Sequence, residues 1–370
     1  MRVLVLCKRQ YTHKDVIDDC YGRLFELPAA LVERGHDVAA AVTSYRQRGL
    51  RLSPAAGVLW HSVDAWPHCL DALRAQTAFA LRSAPQVIWA SADVFQLVAG
   101  IRLGRRLGVP VVLDWYDDYA AFGLSRLPGM QHLLRWACAR ADGLSMVSET
   151  LRKLLPTRGK VPSRMAVIGN GIPQDFPSAL DRVAARTRLG LPLDTPLIGT
   201  AGALESGRGI EDLLAAFSLL RARCPGLRLV LAGPRKPSTT AMLPEGVIDL
   251  GMLPYTQVPL LLRSLDVGVI CNRDSAFGRA CYPQKLGEMV SCGLPVVAAA
   301  VGESARLLRE TPGCLYPPGE PVVLAERLDA QLKTPQYAPA TLAMPWRQRG
   351  EALEALLREV VEDHLLRART

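Results

Sequence analysis

No run of roughly 18 uninterrupted apolar residues occurs in this chain, so no membrane-spanning helix is expected. The opening MRVLVLCKRQ is too short for a signal peptide and carries its charges after the apolar run. There is no Cys-x-x-Cys pair, and the nine cysteines are an odd number. Several, such as Cys7 and Cys271, sit inside apolar runs, where a free thiol behaves as a small hydrophobe. A reducing cytoplasmic compartment is therefore expected. The chain lacks Asp-x-Asp and any His/Asp/Glu cluster with metal spacing, so no metal is expected. It lacks Gly-x-Gly-x-x-Gly and the Walker lysine motif. A Lys/Arg-rich block and the aromatic-basic motif of an RNA binder are absent too, which argues against nucleic acid. No repeat or low-complexity segment appears.

What is present is an ordinary globular composition, 49% apolar and 21% charged over 370 residues, enough for two domains. The net charge of +9 comes mostly from arginine. Arg102, Arg105 and Arg106 form the densest group. A solvated helix face is the plainer reading of it, and peripheral contact with an anionic membrane surface is the other. Short apolar strands alternate with helical patterns throughout: VLVLC, VAAAVTS, QVIWAS, PVVLDW and GLSMVS in the first half, PLIGTAG, LRLVLAG, VIDLGML, DVGVICN and PVVAAA in the second. That alternation predicts parallel sheets covered by helices on both faces. AVIGNGIPQDFPSA, rich in Gly, Pro and Asn, separates the two series. The predicted fold class is α/β, two Rossmann-like domains facing a central cleft. The expected boundaries are residues 1–172, residues 173–345 and a C-terminal helix at 346–370 that crosses back to the first domain.

Three loops carry the candidate chemistry. GTAGALESGRGIEDLL places Gly202, Gly207, Arg208 and Gly209 just before a helix. Helix starts bind anions through free N–H groups, and arginine adds a fork suited to phosphate; a plain turn fits as well. The segment CYPQKLGEMVSCGLPVV reads as a short helix, with Pro283 at its first position and Gly293 past its end. Lys285 then lies near a helix N-terminus, where the dipole is already positive. An anion at that helix start makes sense of the lysine, and an i,i+3 pair with Glu288 is the alternative. In the first half, VVLDWYDDYAAFG puts Asp114, Asp117 and Asp118 after a buried strand. They are candidates for a base or an orienting acceptor, or for helix caps.

These stretches resemble the retaining glycosyltransferases of the GT-B fold, family 4 (group 1). The residues that carry the resemblance are ELPAALVERGHDV, ARADGLSMVSETLRKLL, VIGNGI, GALESGRGIEDLLAAF, EMVSCGLPVVAA and MPWRQRGEALEALL. The resemblance implies a nucleotide-diphosphate sugar donor of UDP or GDP type as substrate, with no cofactor. It makes Glu288 the second glutamate of the family's Glu-x7-Glu, on the donor ribose. Arg208 stands for the lysine that contacts the diphosphate, and Gly22 for the Gly-rich turn near the donor phosphates. Gly202, Tyr282, Lys285 and Leu286 complete the implied donor site. Asp117 matches the aspartate of the family's His-Asp pair, with Tyr116 in place of the histidine. The implied catalytic set is Asp117, Arg208 and Lys285. Two family positions are changed: the first glutamate falls on Ala280, and the arginine of the phosphate loop on Ala203.

The function so implied is transfer of a sugar, with retention, from the nucleotide donor to a hydroxyl of a lipid-linked or cell-surface polysaccharide or lipopolysaccharide acceptor. The site of action is the cytoplasm, at the inner face of the membrane. A non-catalytic nucleotide-sugar-binding subunit and a nucleotide-sugar 2-epimerase are the alternatives.

Overall fold

A computed structural model describes residues 1–11, 14–119, 127–176, 181–235 and 243–369. Residues 120–123 of the aspartate-bearing loop and 177–179 of the linker therefore lie outside the described residues. The chain divides into two compact units. One comprises Met1–Gly171, Ala280–Tyr282 and Trp346–Thr370; the other comprises Ile172–Arg279 and Pro283–Pro345. The short excursion Ala280–Tyr282 is absent from the boundaries read from the sequence.

The first unit contains, in chain order, β1 (Arg2–Lys8), β2 (Gln10–Tyr11), β3 (Lys14–Asp15), β4 (Asp37–Ser44), β5 (Arg51–Ala55), β6 (Val58–Asp64), β7 (Val87–Ser91), β8 (Val111–Trp115), β9 (Gly143–Met146) and β10 (Arg164–Val167). Its main sheet runs β10-β9-β8-β7-β1-β4-β6-β5. Every pairing in it is parallel except the β5–β6 hairpin at the edge. The central strands are buried from end to end, as β7 and β8 show. A strand covered on both faces cannot alternate polar and apolar residues, so it reads as a continuous apolar run.

The covering helices follow from local chemistry. Asp93 caps the Val94–Leu107 helix by accepting from the amides of Phe95 and Gln96 at 3.0 and 3.1 Å. Val94, Leu97, Val98 and Ile101, spaced three and four apart, turn one face inward. Gly108, at φ +65°, ends it in a left-handed turn. The Trp346–Arg369 helix belongs to this same unit, with Gly350 packed against Ala30 of the Arg23–Glu33 helix. Among the described residues no helix is long and apolar enough to cross a membrane.

The second unit holds β11 (Leu197–Ala201), β12 (Arg228–Ala232), β13 (Val247–Asp249), β14 (Val267–Ile270), β15 (Val296–Ala299) and β16 (Leu315–Tyr316). The sheet order is β13-β12-β11-β14-β15-β16, all parallel. Counted from β11 this is 3-2-1-4-5-6, the order of a Rossmann sheet. In the first unit β1 likewise sits between β4 and β7, where the chain reverses its direction across the sheet. Both units are thus Rossmann-like.

Candidate functional site

In open α/β sheets a crevice forms beyond the carboxyl ends of the two strands at which the order reverses. In the second unit those strands are β11 and β14. The loop leaving β11 begins at Gly202 and reaches Arg208 in a short 3-10 turn. Gly209, at φ +73°, then starts the Ile210–Arg223 helix. The loop leaving β14 leads to the Gln284–Ser291 helix, with Pro283 at its cap and Lys285 in its first turn. Both helix starts named from the sequence therefore belong to the loops at the switch point.

Gly202 and Lys285 are brought into direct contact. Gly202 has φ +111°, and a Cβ placed on it would lie 2.6 Å from Lys285 Cε and 2.8 Å from Nζ. Only glycine leaves the ammonium room to rest on the backbone there. Arg208 lies over the Phe277 ring with its guanidinium carbon 4.6 Å from the centroid. That stacking fixes the plane of the fork, which a phosphate needs.

One turn inside the same helix, Glu288 is buried. It accepts a hydrogen bond from the Tyr255 hydroxyl at 3.0 Å. Burial pushes its carboxyl above the usual range, against the pull of Tyr255, Lys285 and Gln284. A buried carboxylate supplied with so few charges gains most from hydroxyl donors. Tyr255 was not found from the sequence; the only sign of it there is an aromatic residue after a proline in a loop following a strand. Leu286 turns the other way. Its side chain is in the core with Met289 and Leu261, and its amide donates to the Pro283 carbonyl at 2.9 Å. It offers nothing from its side chain at the helix start.

The remaining candidates lie in the first unit. Gly22 precedes the Arg23–Glu33 helix at φ +80°, and a Cβ there would come within 2.3 Å of Tyr11 Cε1. The Tyr11 ring thus covers it. Tyr282 belongs to the Ala280–Tyr282 excursion. Its ring lies over Gly169, and its hydroxyl accepts from Arg349 at 3.1 Å. Ala280, where the family's first glutamate falls, is buried in the same excursion, and its carbonyl accepts from Ser148 Oγ at 3.2 Å.

The three aspartates of the first half divide. Asp114 does not follow the strand but lies within β8, fully buried and paired with the equally buried Arg23 at 2.6 Å. Ser91 and Ser145 donate to it at 2.8 and 2.7 Å. Arg23 also donates to the Ile168 carbonyl. This is a closed structural network, so Asp114 is neither the base or orienting acceptor nor the helix cap weighed for it from the sequence. Asp118 is buried and bonded to both Arg158 Nη atoms at 2.5 and 2.8 Å, which likewise commits it to structure. Asp117 is half-buried just past the end of β8 and accepts from the Asp118 amide at 2.8 Å. Burial raises the neighbouring Tyr116 hydroxyl well above its ordinary value, so it stays protonated near neutral pH. Among the described residues no three His, Cys, Asp or Glu side chains gather where a metal ion could be held.

Two family models match the chain. One, described as glycosyl transferases group 1, matches residues 195–334. The other, described as a glycosyl transferase 4-like domain, matches residues 23–171. The chain belongs to the group 1, family 4 glycosyltransferases. As a member, it is similar to D-inositol 3-phosphate glycosyltransferases of Mycobacterium bovis and Mycobacterium tuberculosis, with 31% identity over 164 residues. That match spans 41% of this chain and 32% of each relative, about a third of their length. The chain also shares its fold with sucrose-phosphate synthase from Thermosynechococcus elongatus, at TM-score 0.71 and 18% identity, with 100% of both chains covered. The Anabaena HepE protein in complex with UDP-glucose superimposes at TM-score 0.68 and 18% identity over 98% of each chain.

Proposed function

We infer that the protein transfers a sugar from a nucleotide-diphosphate donor to a hydroxyl of a lipid-linked or cell-surface polysaccharide or lipopolysaccharide acceptor, with retention at the anomeric carbon. The observation that carries the donor half is the Lys285 ammonium resting on the Gly202 backbone at the start of the Gln284–Ser291 helix. A lysine in the first turn adds its charge to the positive end of the helix dipole, and the two together favour an anion there. Arg208, at the start of the neighbouring helix, supplies the second cation that a diphosphate needs. Glu288 accepts from the ribose hydroxyls, and Tyr255 holds its carboxylate in place for them. The neighbour solved with UDP-glucose supports a uridine nucleotide as the first donor to try.

The chemistry asks the protein to position two substrates and to stabilise a leaving diphosphate. The bond from the anomeric carbon to the phosphate oxygen breaks. The acceptor oxygen bonds to the same face of the sugar, and its proton passes to the leaving phosphate. Lys285, Arg208 and the two helix starts take up the charge that develops on that phosphate. Asp117 orients the acceptor hydroxyl. Protein groups meet the phosphate charge without a metal in this scheme.

The acceptor class rests on the family resemblance. The relatives named for inositol phosphate and sucrose phosphate supply the competing class, small phosphorylated sugars and polyols. Incubation with UDP- and GDP-sugars and each acceptor class tests both halves, with the anomeric configuration of the product read by NMR. An α-linked product from an α-configured donor is expected. Free epimerised sugar nucleotide, formed without acceptor, would instead mark a 2-epimerase. A donor-binding subunit without turnover is the second reading, favoured by Ala280 at the position of the family's first glutamate. Tight donor binding with no nucleotide released under any acceptor would establish it.

A further inference from the structure

The diphosphate and the ribose of the donor have partners in Lys285, Arg208 and Glu288; the sugar to be transferred has none so far. The loop after β15 supplies a candidate. β15 runs parallel beside β14, with Ala298 opposite Ile270, so the carboxyl ends of the two strands lie side by side. The loop leaving β14 carries Lys285, and the loop leaving β15 leads directly into the Gly302–Leu307 helix, with Glu303 in its first turn. Gly302, at φ +50°, rests on the first of these loops. A Cβ placed on it would lie 2.4 Å from the Arg279 carbonyl oxygen and 2.7 Å from the Arg279 Cα. Only glycine allows two backbones to approach so closely. Ala280, where the family's first glutamate falls, directly follows Arg279 in the chain. One carboxylate is absent from that loop, and the neighbouring strand brings another to its side.

Glu303 is fully buried. Arg306, one turn further on, donates to it from Nε at 2.9 Å and from Nη2 at 2.6 Å, and both bonds fall on Oε1. Oε2 is buried and has no hydrogen-bond partner among the described residues, the only buried carboxylate oxygen there of which this is true. Other pairs in the chain are built differently. Glu149 and Arg152 have the same spacing, and there Nε spans both carboxylate oxygens at 2.9 and 2.8 Å. Asp114, as deeply buried as Glu303, has Ser145 on one oxygen and Ser91 on the other besides Arg23. A buried acceptor without a donor costs its full desolvation, and more when it carries charge. A pair serving only to anchor a helix gains most by closing on both oxygens. Glu303 is held by one oxygen and keeps the other open for a donor.

We propose that Glu303 binds the sugar of the nucleotide donor, Oε2 accepting a hydrogen bond from a sugar hydroxyl while Arg306 holds Oε1. This rests on the donor site described under the proposed function and adds the substrate class: a neutral sugar with free hydroxyls. An ionised carboxylate only accepts hydrogen bonds, so it suits a hydroxyl and repels the second carboxylate of a uronic acid. A site built to bond a substrate hydroxyl also rejects the analogue that lacks it. The enclosure of Oε2 keeps water from competing for the contact. The change at Ala280 is then a relocation of a carboxylate and not a loss of one.

The test is titration calorimetry on the full chain without acceptor, with UDP, UDP-glucose, UDP-N-acetylglucosamine, UDP-glucuronate, GDP and GDP-mannose. Glu303→Gln should bind the nucleoside diphosphate as wild type does and lose roughly tenfold to hundredfold for the sugar nucleotide that wild type binds best. Wild type should bind UDP-glucuronate more weakly than UDP-glucose, and Glu303→Gln should narrow that gap. Arg306→Gln leaves the carboxylate in place and should weaken the sugar nucleotide less than Glu303→Gln does. A purely structural pair predicts otherwise: both variants lower the melting temperature, and neither changes the affinity of the sugar nucleotide relative to its diphosphate. Should Glu303→Gln fail to fold, Glu303→Asp decides, because it keeps the charge and draws the carboxylate back by one methylene; the same loss for the sugar nucleotide alone is expected. An unchanged ratio in the folded Glu303 variant, or a wild type that prefers UDP-glucuronate, overturns the inference and leaves the donor site standing. Failure of the donor site itself shows differently, as a wild type that binds neither UDP nor GDP, and it takes this inference with it.

Discussion

Gly202→Ala separates a glycine needed for folding from a glycine needed for a ligand. At φ +111° an alanine is strained by roughly 1–3 kcal/mol. Unfolding of the unit that holds it should shift down by about 2–4 °C for each kcal/mol. The new methyl also meets Lys285 Cε at 2.6 Å and Nζ at 2.8 Å. Those atoms end a flexible side chain, so the clash is relieved by swinging the ammonium away and not by unfolding. If that ammonium serves a diphosphate, the lost charge-assisted hydrogen bond costs about 1.5–3 kcal/mol of affinity. That is roughly a tenfold to hundredfold rise in the dissociation constant. Titration calorimetry with UDP and GDP, and with uridine and guanosine, reads this directly. The diphosphate should lose affinity while its nucleoside does not. In the Lys285→Ala background the alanine at 202 should add nothing further, because both changes remove the same contact. Equal losses for nucleoside and diphosphate, or a drop in stability with no change in affinity, would refute the reasoning.

Three other expectations follow from the same geometry. Asp114→Asn strands a fully buried Arg23 and should lower stability by about 3–5 kcal/mol in urea unfolding without changing nucleotide affinity in the folded protein. A cost below about 1 kcal/mol would mean the arginine finds water or another partner. Burial, aided by Glu33, raises the Glu26 carboxyl from an ordinary 4.5 to about 7. The folded chain then keeps a proton that the unfolded chain releases, so this contribution to stability is complete below the lower value and lost as pH rises through the higher one. Glu26→Gln should therefore be more stable than wild type near pH 8 by about 1–2 kcal/mol, a figure reduced for partial exposure, and should show no gain near pH 4. Equal pH dependence in both proteins would contradict it. Asp117→Asn should cut turnover by roughly a hundredfold with donor affinity intact; turnover near wild type would remove Asp117 from the acceptor site.

Much of the scaffold was legible because its strands are short apolar runs between clear stops. VVLDW and PVVAA are buried on both faces, and no other pattern fits such burial. The Gln284–Ser291 helix was readable from its ends. Gly293 does adopt φ +65° just past the last turn, while Pro283 sits at the cap, one position before the place predicted for it. The β5–β6 hairpin was not readable. Its sequence, RLSPAAGVLWHSVD, mixes polar and apolar residues and contains Pro54, since an edge pair is only half covered. Its leucines face outward, which is the feature that periodicity treats as noise.

The candidate site was legible in part for a different reason. Local signals identify a helix start, a glycine loop and a lysine out of place. They do not say what lies opposite. Asp114 and Asp117 look alike in sequence, yet one is locked to Arg23 from the first helix and the other is half-buried beyond the strand. Glu288 was expected from the motif, but Tyr255, which holds it, comes from a loop that only the folding of β13 and the Val258–Ser264 helix brings near. The excursion Ala280–Tyr282 is continuous with its neighbours in sequence and carries no local mark of joining the first unit.

The central claim is that Lys285 and Glu288 face one nucleotide diphosphate, the lysine on the phosphates and the glutamate on the ribose. Titration of nucleoside, monophosphate and diphosphate into Lys285→Ala and Glu288→Gln tests it most directly. Lys285→Ala should weaken the diphosphate strongly, the monophosphate less and the nucleoside hardly at all. Glu288→Gln should weaken all three by about 1.5–3 kcal/mol, because each carries the ribose. If the two residues served only each other, each change would lower stability and leave affinity untouched. Unchanged affinity for all three ligands in both variants would contradict the account.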